Sequence, residues 1–129
     1  MIGFAMLGTN DLARARGFHD RLMPLLGASV NTGWSTERRV WYVAAPDAPM
    51  LAVTAPYDGQ PATAGNGSMI ALTVASRAAV HAVHAEAVAL GGADEGGPGH
   101  RSRDPGDLYR AYFRDLDGNK LMVFTLAPD

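Results

Sequence analysis

The same order of apolar runs and turn residues occurs twice along this chain, and that duplication constrains the fold more than any single motif does. Sliding the sequence along itself by 65 positions superimposes Phe4 on Met69, Leu7 on Leu72, Leu25 on Leu90 and Gly27 on Gly92. A slide of 70 positions brings Tyr42 onto Tyr112, Asp47 onto Asp117, Leu51 onto Leu121 and Val53 onto Val123. A period of this length means one supersecondary unit used twice, with the extra positions of the second copy falling in its longer loop.

Each copy reads strand, helix, strands. The run IGFAMLGT ends at Asn10-Asp11, and Asn10 is the expected N-cap of a helix. Within DLARARGFHDRLMPLLG, the residues Leu12, Ala15, Phe18, His19, Leu22, Met23 and Leu26 share one face at about 100° per residue, which predicts an amphipathic helix. Gly27 stops it, and Pro24 predicts a bent or loosened last turn. RRVWYVAA and MLAVTAP follow as two strands around a PDAP turn, and YDGQPATAGNG connects the halves. In the second half SMIALTVA is a strand and Ser76 a helix cap. RAAVHAVHAEAVAL is a helix with Val80, Val83, Ala87 and Leu90 in one stripe, closed by Gly91-Gly92. GADEGGPGHRSRDPGD reads as a loop, leading to the strands LYRAYFRD and KLMVFTL around Asp117-Gly118.

Composition sets the outer bounds. A chain of 129 residues, 47% apolar, suits one domain over residues 1–129, with module one about 1–60 and module two about 66–129. A net charge of −2 argues against a nucleic acid partner. No apolar run approaches the roughly 20 residues of a membrane helix, and MIGFAMLGTND lacks a basic segment followed by an apolar one, so the expectation is a cytoplasmic protein without a membrane partner. The absence of Cys excludes disulfides, thiolate zinc sites and Cys nucleophiles. No phosphate-loop, G-x-S-x-G or H-E-x-x-H pattern is present.

Three stretches carry a family resemblance. FRDLDGNKLMVF, residues 113–124, is similar to the F-x-D-P-D-G-N-x-I/L-E strand turn of the vicinal oxygen chelate superfamily, which includes glyoxalase I, extradiol dioxygenases, and fosfomycin and bleomycin resistance proteins. NDLARARGFHDRLMPLLG resembles that family's D-L-x-x-x-x-x-F-Y-x-x-x-L-G opening, and YDGQPATAGNGSMIAL its linker and fifth strand. The resemblance implies an α+β fold of two βαβββ modules in tandem, forming a curled-sheet cavity whose floor carries a divalent metal in many relatives. The positions that would supply metal ligands fall on Phe4, Ala52, Met69 and Met122. None offers the carboxylate, imidazole or amide oxygen that a hard or borderline ion requires, so no metal and no cofactor is expected.

Met122 in place of the family carboxylate predicts an apolar pocket, or a cavity filled by side chains, because Met adapts to either. Strand alternation in YRAYFRD puts Arg110, Tyr112 and Arg114 on one side and Ala111 and Phe113 on the other, which favours an anionic or aromatic ligand. Phe4, Met69, Met122, Trp41 and Tyr42 complete the candidate ligand-binding set, with Trp34 and Tyr57 as further aromatics. His19 lies in the apolar stripe and reads as a packed residue, and His81 and His84 read as incidental helix positions. His100, in the glycine-rich loop, and Tyr112 are the candidate catalytic residues. Three functions fit: a metal-free binder of a small molecule, a glyoxalase-like lyase, isomerase or dioxygenase with a non-standard site, and a structural or interaction module. The resemblance also implies a homodimer.

Overall fold

The computed structural model describes all of residues 1–129. The first module comprises β1 (Phe4–Gly8), α1 (Leu12–Leu22), β2 (Ser29–Val30), β3 (Arg39–Val43) and β4 (Met50–Thr54). The second comprises β5 (Ile70–Thr73), α2 (Arg77–Ala89), β6 (Ala93–Gly99), β7 (Tyr109–Arg114) and β8 (Lys120–Thr125). Each module forms one four-stranded sheet, in the orders β1-β4-β3-β2 and β5-β8-β7-β6. The first strand of each module lies parallel to its last, and the other neighbours are antiparallel. The two modules are therefore βαβββ units of one topology, as the duplicated pattern requires.

Local chemistry explains the helix ends. Asp11, not Asn10, caps α1: its backbone is extended and its carboxylate accepts from the Arg14 N–H at 3.0 Å. Asn10 is drawn away by the linker, accepting from the Ala62 N–H at 2.7 Å and donating to the Ala62 carbonyl at 3.2 Å. Pro24 converts the end of the first helix to a 3-10 turn over Met23–Leu26, and Gly27 follows at φ 73°. In α2 the residue with the equivalent left-handed backbone is Gly91, at φ 99°. Gly92 then donates to the Ala87 carbonyl at 2.9 Å, the six-to-one bond of a Schellman end. Gly92 is needed for a different reason: a Cβ there would lie 2.7 Å from both the Ala87 and the Arg114 carbonyl oxygens.

Two strands escape the sequence pattern. The segment expected to be a loop from residue 92 onward begins with β6, whose DEGG stretch pairs irregularly with β7 through two register shifts. The two-residue β2 is an edge strand that pairs with Tyr42 and Val43.

The core is one apolar cluster fed by both modules. Phe18, Leu22, Val80, Val83 and Ala87 from the helices meet Val40, Val53, Ala111, Phe113, Leu121 and Val123 from the inner faces of the two sheets. Each fully buried Val, Leu or Phe among them contributes roughly 1.5–3 kcal/mol.

A polar clamp locks the modules in register. Asp115, at the tip of the β7–β8 turn, is buried, and its carboxylate accepts four hydrogen bonds. These come from His19 Nε2 at 3.1 Å, Asn119 Nδ2 at 2.9 Å, and the backbone N–H groups of Asp117 at 3.0 Å and Asn119 at 2.9 Å. Asn119 Nδ2 also donates to the Gly8 carbonyl at 2.9 Å. Asp117 accepts from the Thr9 hydroxyl at 2.6 Å and from the Asn10 N–H at 3.0 Å. Burial alone would raise the Asp115 carboxyl, but hydrogen bonds from His19 and Asn119 outweigh it and hold the group below its ordinary value of 3.8. The carboxylate can only accept, so the shared hydrogen sits on His19 Nε2.

Asp115 thus contributes stability at pH values above about 3.8 that fades as the pH falls below it. Asp115→Asn should lower the unfolding free energy at pH 7 by about 2–3 kcal/mol, and should flatten the acid limb of a stability-versus-pH profile measured by urea denaturation. Gly92→Ala should cost about 1–3 kcal/mol by the same assay, because the two carbonyls that block the new methyl belong to the backbone.

Candidate functional site

On each sheet, alternation leaves one face turned away from the helices. In the first sheet that face carries Phe4 and Met6 from β1, Ala52 from β4 and Trp41 from β3, with Met6, Ala52 and Trp41 in one cross-strand row. Phe4 meets Trp41 edge to face with ring centroids 5.0 Å apart, and Trp34 meets Trp41 edge to face at 5.3 Å. This aromatic trio leaves Trp41 only 4% and Ala52 0% exposed, while Phe4 stays 50% exposed. Tyr42, grouped with Trp41 by its sequence position, does not join the wall. It points into the core, where its hydroxyl donates to Asp20 Oδ1 at 2.6 Å. Burial, followed by that hydrogen bond, pushes the phenol far above its usual range and keeps it neutral. Tyr57 is exposed away from this stack.

The corresponding face of the second sheet is polar. Ala111 and Phe113 pack into the core, and Arg110, Tyr112 and Arg114 occupy the opposite side, as alternation predicts. Met122 stands directly across from Tyr112 and beside Ala71, and is 8% exposed. Three cations surround the Tyr112 ring: Arg110 and Lys120 each at 5.3 Å and Arg101 at 5.8 Å from its centroid. Arg110 pairs with Asp104, and Arg114 with Glu95. Lys120 and Arg101 escape sequence reasoning. A Lys after a turn and an Arg in a glycine-rich loop look like solvated charges, and only the cross-strand register and the loop path bring them to one ring.

Between the modules runs a groove of about 560 Å³, lined by Met6, Gly8, Met69, Ile70 and Lys120 and by the linker residues Thr63, Ala64, Gly65, Gly67 and Ser68. A second groove of about 350 Å³ adjoins it and shares Met69 and Lys120, adding Arg114. Phe4, Trp41, Tyr112 and Met122 lie outside both. The candidate residues therefore fall into three groups: Met69 and Arg114 line the grooves, Phe4, Trp41, Arg110, Tyr112 and Met122 lie on the two sheet faces, and Tyr42 is in the core.

The histidines are all engaged. His19 serves the clamp. His81 Nε2 lies 2.7 Å from the Tyr109 hydroxyl, and Arg77 sits 4.9 Å over the Tyr109 ring. His84 contacts Asp94 at 3.0 Å; a hydrogen bond from the Gly96 N–H, then one from His84, holds the Asp94 carboxyl below its usual value. His100 Nδ1 donates to the Leu108 carbonyl at 3.0 Å, and its ring meets Tyr109 edge to face at 5.3 Å. Tyr109 and Tyr112 point to opposite faces of β7, so His100 and Tyr112 do not form a shared catalytic pair. No three His, Cys, Asp or Glu side chains converge closely enough to hold a metal ion.

The model for the glyoxalase/bleomycin resistance protein/dioxygenase superfamily matches residues 1–123. The chain belongs to this superfamily. A crystal structure of a glyoxalase/bleomycin resistance protein from Albidiferax ferrireducens T118 is 38% identical, covers 99% of each chain and superposes with a TM-score of 0.83. A glyoxalase/bleomycin resistance protein/dioxygenase family enzyme from Burkholderia phytofirmans PsJN shares the fold at 14% identity, covering 97% of this chain and 98% of that one, with a TM-score of 0.76. Lactoylglutathione lyase from Agrobacterium tumefaciens does so at 20% identity, covering 97% and 92%, with a TM-score of 0.66. Comparison with curated proteins finds no match. The tandem βαβββ architecture implied by the FRDLDGNKLMVF resemblance is thus the fold of this chain.

The aromatic trio gives a direct test of the first sheet. In a Trp34→Phe background, where emission reports Trp41 alone, Phe4→Ala should shift the fluorescence maximum to the red and cost about 1 kcal/mol of stability.

Proposed function

We propose that this protein binds a small organic molecule, aromatic or anionic, without the metal that many superfamily members carry. The observation behind this reading is the fate of the four ligand positions. Phe4 is stacked on Trp41, Ala52 is fully covered beneath that stack, Met69 opens onto the groove at 42% exposure, and Met122 packs opposite Tyr112. The donor set is one aromatic ring, one methyl and two thioethers, which does not fit a hard or borderline divalent ion. A groove of about 560 Å³, open to solvent and mixing apolar with cationic lining, is where such a molecule would sit.

A second copy of the chain completes the site in this reading. Phe4, Met6 and Trp34 are large apolar groups exposed on or beside the outer face of the first sheet, and β1 and β5 are sheet edges. A homodimer that covers these faces accounts for side chains otherwise left in water.

Purified protein equilibrated with nickel, zinc, iron or manganese should retain less than a tenth of an ion per chain by elemental analysis, and one tightly held ion per chain would overturn the metal-free reading. Light scattering at micromolar concentration should give twice the chain mass, and Trp34→Lys should shift it toward the monomer. A thermal-shift screen of aromatic acids and uncharged aromatics should raise the melting temperature by mass action; no hit would count against a binding function.

A further inference from the structure

Arg114 and Lys120 stand directly opposite each other where β7 and β8 pair, an arrangement that places two like charges side by side across a sheet. Both line the smaller groove, and Lys120 also lines the larger one. Arg114 is partly satisfied, donating to Glu95 and, at 2.9 Å, to the Gly118 carbonyl. Lys120 has no carboxylate within salt-bridge distance, and its only charge-related contact is the Tyr112 ring. Further along the same face, the Arg101 guanidinium donates to the Gly97 and His100 carbonyls while its backbone N–H donates to Asp104, and Arg110 is paired with Asp104. This face carries Arg101, Arg110, Arg114 and Lys120 against Asp104 and Glu95, within a chain whose net charge is −2.

We propose that the groove takes an apolar monocarboxylic acid, its carboxylate held by Lys120 beside Arg114 and its body laid along Met6 and Met69. The inference rests on the metal-free binding reading and names the ligand class for it. A single negative charge is the complement of the pair, because Glu95 already offsets the guanidinium and leaves the ammonium unmatched. The larger groove supplies the apolar surface: Met6, Met69 and Ile70 line it, and the two thioether side chains adapt to a flat or a bent hydrocarbon. The linker residues Gly65, Gly67 and Ser68 line both grooves.

Isothermal titration of the full chain with matched probes, 2-naphthoate against 2-naphthamide and 3-phenylpropanoate against 3-phenylpropanamide, tests this at low ionic strength. The acids should bind at least about tenfold more tightly than their amides, and added salt should narrow the gap. Lys120→Met should erase the preference for the acids over their amides, and Lys120→Arg should keep it. Lys120 is a partly exposed strand residue outside the core, so both variants retain the fold. Equal affinity for acid and amide, or a preference that survives Lys120→Met, overturns the carboxylate assignment and leaves the binding function standing. If neither acids nor amides bind, the binding reading fails and the assignment falls with it.

Discussion

The buried carboxylate of Asp115 is the constraint on which the arrangement of the two modules rests. A charge in an apolar interior is tolerated only when its lone pairs are satisfied, and Asp115 meets that demand with donors from two places: its own turn, through the Asp117 and Asn119 N–H groups and the Asn119 side chain, and His19 of the opposite module. Satisfying the charge therefore forces α1 and the β7–β8 turn together. Asn119 extends the contact to Gly8, and Asp117 extends it to Thr9 and Asn10. Apolar burial supplies most of the driving force for association of the modules but has no preferred register. The hydrogen-bonded turn supplies that register.

Once the register is set, the outer faces of the sheets acquire different chemistry from the same topology. The first sheet carries a trio of aromatic rings beside buried Ala52, and the second surrounds a tyrosine with cations. One duplicated unit has become an apolar wall in one copy and a charged one in the other. The duplication binds the halves to a common backbone while leaving the outward-facing residues free to diverge, because those residues contribute little to the shared core.

Much of the fold was legible in local pattern. The helices, their apolar stripes, the Ser76 cap, the glycine stops and six of the eight strands follow from periodicity and turn chemistry. The misses share a cause. β6 is rich in Gly and acidic residues and is held by its partner β7, not by its own propensity, and β2 is too short to show alternation. Asn10 and Asp11 are equally good caps in isolation, and only the distant Ala62 decides between them. For the site, alternation correctly separated Arg110, Tyr112 and Arg114 from Ala111 and Phe113, yet the same rule applied to neighbouring Trp41 and Tyr42 sends them to opposite faces. Lys120 and Arg101 became visible only through pairing between strands and the course of a loop, which no single segment encodes.

The two hydrogen bonds between the Asn10 side chain and the Ala62 backbone imitate one rung of a ladder and fasten the crossing segment at a single point. Beyond that rung, residues 63–68 are free of the core and form the groove's outer bank. Insertions, deletions or exchanges there would resize the vessel without disturbing its foundations. The width of that groove is thus set by half a dozen positions of a connector, where a change costs the core least.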